Sequence, residues 1–88
     1  MTSEEIWRII VDSMAEEFEL ESAKMTREAR IKDDLGLDSL DVVDMVVVLE
    51  TAFDFKIQDK TALAKIETLG DVAGFIESIV EAEQKAAS

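Results

Sequence analysis

From Asp33 to Phe55 the chain reads DDLGLDSLDVVDMVVVLETAFDF, with seven acids, no lysine or arginine, and the longest apolar block in the sequence. Val46, Val47 and Val48 are β-branched and suit a strand, whereas Asp38, Asp41 and Asp44 recur every third residue, as they would on a helix. The helix accounts for more of the pattern. At about 100° per residue, Val42, Met45, Val46, Leu49 and Phe53 share one sector, and Leu40, Asp41, Asp44, Val47 and Thr51 lie roughly opposite. An alternating strand would scatter both sets. Gly36 breaks the chain ahead of this segment, and Asp38 can accept from free backbone N–H groups as an N-cap, its charge matching the positive end of the helix dipole. The spacing therefore predicts a helix from about Ser39 to Phe53, with Ser39 in its first turn near solvent.

Charge narrows the partners. A net charge of -12, from 21 acids against nine bases in 88 residues, repels nucleic-acid phosphates and favours basic protein partners. The acidity is concentrated, because Arg27, Arg30 and Lys32 precede the acid-only block and Lys56, Lys60 and Lys65 follow it. Residues 1–88 fit one domain, with a core expected over about 3–82 and a fraying tail from Glu83 to Ser88. Without cysteine there is no disulfide or Cys-based zinc site, and any thiol has to come from a cofactor. Met1 to Val11 lacks the pattern of a secretory signal, and no run approaches the ~18 apolar residues of a membrane span. A soluble, cytoplasmic monomer is expected.

The remaining segments are read in order. Thr2 and Glu5 match a capping box opening a first helix to about Phe18, with Ile6, Ile10, Met14 and Phe18 inward and Trp7 and Ile9 at the core edge. Glu19 to Lys32 reads as a long loop pinned by Leu20, Met25 and Ile31. Ile57, Leu63 and Ile66 can anchor a short third helix capped by Asp59. A last helix begins at Thr68, with Asp71 three residues on and Val72, Phe75, Ile76, Ile79 and Val80 at helical spacing; Gly70 and Gly74 should loosen its first turn. The expected fold is all-α: a small bundle of three longer helices and one short one, with a long loop after the first.

An Asp-Ser pair before an apolar run is by itself an ordinary helix start. The whole pattern says more: Asp34-Leu35-Gly36, then Asp38-Ser39-Leu40, then Val43, Met45, Leu49-Glu50 and Phe53, closing with Ile57 and a second amphipathic segment. This closely resembles the acyl carrier protein family, over about Glu4 to Ile79. The resemblance implies that Ser39, flanked by Asp38 and Leu40, is esterified to 4′-phosphopantetheine taken from coenzyme A. The arm then carries acyl groups as thioesters to fatty-acid, lipid or polyketide biosynthetic enzymes. It also implies a non-catalytic chain that is a substrate of a phosphopantetheinyl transferase, since the sequence offers no His or Cys as base or rival nucleophile. Leu40, Asp41, Asp44, Val47 and Glu50 are then expected to dock enzymes with basic patches, the acids steering and the apolar studs giving desolvated contact.

Several positions depart from the family's usual pattern. Ile31 stands for a common Phe, Gln58 for a common proline, and Thr51, Lys60 and Thr61 for frequent acids. A housekeeping fatty-acid carrier and a dedicated lipid or polyketide carrier both remain open. An unmodified acidic helical domain that binds a basic protein through the same face is the alternative from another class. A calcium site is disfavoured, because no 12-residue loop from Asp34 or Asp38 supplies the required oxygens, the glycine at its sixth place and the closing Glu.

Overall fold

The computed structural model describes residues 1–57, 63 and 65–87. Among them are three α-helices, α1 (Ser3–Phe18), α2 (Ser39–Phe53) and α3 (Leu69–Ala87), a 3-10 turn at Ser22–Lys24, and no strand. The short helix expected to be capped by Asp59, and the departures at Gln58, Lys60 and Thr61, lie outside the described residues.

The helix starts follow from local chemistry. Thr2 Oγ1 accepts from Glu5 N–H while the Glu5 carboxylate accepts from Thr2 N–H, the capping box expected for α1. At α3, Asp71 N–H donates to Thr68 Oγ1, and Asp71 Oδ2 accepts from the backbone N–H groups of both Glu67 and Thr68. These hydrogen bonds favour the charged carboxylates and hold Asp71 and Glu5 below the usual carboxylate range. Asp71 thus binds fewer protons folded than unfolded in mild acid, so its contribution to stability is complete above the ordinary carboxylate pKa. It is lost as the pH falls through the lower folded-state value. The stability difference between wild type and Asp71→Asn, followed by urea unfolding, should be largest near neutral pH and shrink in acid.

The core forms where the spacing of apolar residues predicts. Ile6, Ile10 and Met14 of α1, Met45, Val46 and Leu49 of α2, and Val72 and Ile76 of α3 are all buried, and α1 packs against both other helices. Met25 and Ile31 pin the long loop as expected; Ala29 and Leu37 are buried with them. Trp7 is half-buried, with the Arg27 guanidinium 4.7 Å from its ring centroid.

Backbone pairing, which side-chain patterning does not reveal, ties this loop to the start of α3. Ile31 N–H donates to Glu67 C=O, Leu69 N–H to Ala29 C=O, and Gly70 N–H to Arg27 C=O at 2.8 Å, around an antiparallel bridge between Arg30 and Thr68. Gly70 therefore marks a close approach and not a loose turn. A Cβ there would lie 2.9 Å from the Arg27 carbonyl oxygen, whereas one at Gly74 would meet nothing within 4 Å. Gly70→Ala should cost about 1–2 kcal/mol by forcing backbones apart. Gly74→Ala should add up to about 1 kcal/mol through helix propensity. Chemical denaturation of the two variants would show the opposite signs.

Two left-handed residues close the first two helices, Glu19 (φ 54°) after α1 and Asp54 (φ 55°) after α2. The backbone of α3 stays helical to Ala87, past the end of the apolar pattern at Val80. Glu, Gln, Lys and Ala are strong helix formers and favour such an extension.

Candidate functional site

Before α2 the chain makes a tight reversal built from the Asp34-Leu35-Gly36 triplet. Asp34 Oδ2 accepts from Arg30 N–H at 2.7 Å, and the N–H groups of Asp34 and Leu35 both donate to Arg30 C=O. Gly36 takes φ +71°, a conformation side chains disfavour, and its N–H donates to Lys32 C=O. Leu37 then donates back to Ile31 C=O and enters the core, so the next two residues start a helix from a fixed point.

That start is again a reciprocal box. Asp41 N–H donates to Asp38 Oδ1 at 2.9 Å, and Asp38 N–H to Asp41 Oδ2 at 3.1 Å. Ser39 is the first residue of α2, exposed, and its hydroxyl has no hydrogen-bond partner among the described residues. The arrangement presents a hydroxyl to solvent on a rigid base, with no hydrogen-bonded group to activate it among the described residues.

The residues expected to form a partner face separate into two kinds. Leu40, at 79% exposure, Asp44 and Val47 stand out from the surface of the helix. Asp41 and Glu50 are half-buried and hold its ends: Asp41 through the box, and Glu50 by accepting from Ile57 N–H at 2.7 Å. Sequence reasoning assigned neither bond, although the three-residue spacing of Asp38 and Asp41 signals the first. It also left Val43 off the face, where the residue is 63% exposed, three positions after Leu40 and four before Val47. Thr51 turns its hydroxyl back to Val47 C=O at 3.0 Å, so a neutral, self-satisfied side chain stands where the family often has an acid.

Beside Ser39 lies a mainly apolar cleft of about 380 Å³. Val42, Val43, Val46 and Val47 of α2 line it together with Leu63 and Ile66, and Ser39 and Lys32 complete the lining. An open hydroxyl beside such a cleft suits a flexible arm anchored by oxygen, with apolar surface against which the arm can lie. The clustered aspartates are engaged with backbone N–H groups and with Arg30, whose guanidinium is 3.5 Å from Asp33. Among the described residues no helix is long and apolar enough to cross a membrane.

Comparison with known proteins agrees with this geometry. Residues 8–76 match the family model for the phosphopantetheine attachment site. An acyl carrier protein of Exiguobacterium sp. is 42% identical over 78 residues, covering 89% of this chain and 98% of that protein. Acyl carrier proteins of Prochlorococcus marinus and Thermotoga maritima are each 40% identical, over 89% and 84% of this chain and 96% and 90% of their own lengths.

Proposed function

The chain belongs to the acyl carrier protein family, whose members are carriers rather than enzymes and bear 4′-phosphopantetheine, and on that premise we propose that Ser39 is the attachment residue. The observation that carries this is the exposed hydroxyl of the Asp38-Ser39-Leu40 motif, without a partner among the described residues and rooted in the Asp38–Asp41 box beside an apolar cleft. Ser39 Oγ bonds to the phosphorus that bears the pantetheine of coenzyme A, the bond from that phosphorus to the other phosphate breaks, adenosine 3′,5′-bisphosphate leaves, and the hydroxyl proton passes to the transferase. The transferase and its metal ion supply the activation that this chain lacks. Once attached, the arm supplies a thiol that holds acyl groups as thioesters. Asp38 and Asp41 fix the root of the arm, while Leu40, Asp44, Val47 and the newly recognised Val43 present a contact surface edged by Asp41 and Glu50.

The carrier serves fatty-acid, lipid or polyketide enzymes with basic docking patches, and works as a soluble cytoplasmic monomer. The neutral Thr51 and the cation Lys56 at the far end of α2 favour a dedicated pathway over the housekeeping one, since both weaken the acidity of that end. Incubation with coenzyme A, magnesium and a phosphopantetheinyl transferase, followed by intact mass and peptide mapping, tests the assignment. One added arm on the peptide containing Ser39 supports it. Absence of any gain with both a broad-specificity and the host transferase would leave the unmodified interaction domain as the reading.

A further inference from the structure

We infer that Lys32 holds the phosphodiester at the root of the arm, an inference that rests on the attachment to Ser39 proposed above. Lys32 and Ser39 line the same cleft, and Lys32 also lines the neighbouring one of about 310 Å³ with Arg30, Asp33 and Glu67. The backbone there is fixed: Ile31 N–H is bonded to Glu67 C=O, Leu37 N–H to Ile31 C=O, and Gly36 N–H to Lys32 C=O. This reversal sets residue 32 beside the segment that leads into Ser39.

Lys32 is exposed, and its ammonium makes no ion pair among the described residues, whereas Arg30 is already engaged with Asp33. The phosphate is one bond from Ser39 Oγ, so it is the anionic group of the arm nearest to Lys32; an acyl cargo sits at the opposite end. A lysine ammonium meets a phosphate as a compact point charge, and its methylene stem can lie along the apolar wall of Val42 and Ile66 while it does so. The contact inclines the root of the arm toward the cleft and leaves Leu40 and Asp44 open to partners.

The test uses the complete chain labelled with ¹³C at lysine Cε, prepared apo and holo, the holo form first verified by mass to carry one arm on Ser39. The Lys32 signal is assigned by its disappearance in Lys32→Met. At low salt its titration midpoint should rise by about 0.7 of a pH unit from apo to holo, as a single charge about 4 Å away in a largely aqueous setting requires. The rise should shrink as salt is added. Lys24, beside Glu21 on the remote 3-10 turn, should not move. Asp33, Glu67 and Arg30 contribute equally to both forms and cancel in the comparison. An unchanged Lys32 midpoint in verified holo protein overturns this inference alone, while failure to form holo protein on Ser39 overturns the attachment reading instead.

Discussion

Replacing Ser39 by alanine is expected to abolish attachment of the arm while leaving stability within about 0.5 kcal/mol of wild type. The separation is possible because the hydroxyl contributes nothing to the fold: Ser39 is exposed, without a partner among the described residues, and in a first turn where Asp38, not Ser39, accepts from Asp41 N–H. Alanine is also the better helix former. Asp38→Ala should behave in the opposite way. It removes the acceptor for Asp41 N–H at a cost of about 1 kcal/mol and leaves the nucleophile in place. Intact mass after transferase treatment, paired with thermal unfolding, distinguishes the two variants. A Ser39→Ala protein that still gains an arm would place the attachment on another residue.

Leu49→Ala should lower stability by about 3 kcal/mol, a large fraction of the total for a domain of this size. Leu49 is 2% exposed in the core shared with α1 and α3, so its truncation both forfeits apolar burial and leaves a cavity between helices. The melting temperature should fall by about 15 °C. Leu40, on the same helix and 79% exposed, should change stability by less than about 0.5 kcal/mol when truncated. Its loss should instead weaken docking of a basic partner enzyme, by about tenfold if it sits at the centre of the contact. Chemical denaturation and binding measurements on the two leucine variants would show this exchange of effects, and an equal loss of stability in both would contradict the orientation of α2.

The orientation of the helices was legible because their apolar residues recur at helical spacing: Ile6, Ile10 and Met14, and likewise Met45, Val46 and Leu49, are buried together. The exposed place of Ser39 at the start of α2 was legible from the cap before it. Bonds between backbone groups far apart in sequence were not, because any residue except proline can donate through its main chain. The pairing of the loop with α3 therefore left a single trace, Gly70, whose missing side chain reads equally well as a weak point in a helix. Glu50 was misleading for a related reason. A carboxylate at the edge of an acidic helix looks like surface charge until its partner, the N–H of Ile57 seven residues on, is located.

The anchoring of Asp41 and Glu50 at opposite ends of α2 constrains how such a carrier can diverge. On the docking role proposed above, a change at either acid would alter partner preference and the boundary of the helix at once, so the two traits could not be inherited separately there. Leu40, Val43, Asp44 and Val47 carry no such double duty. Duplicated copies recruited to different enzymes should accumulate their differences at those four exposed positions, with the two anchored acids changing last and only alongside compensation nearby.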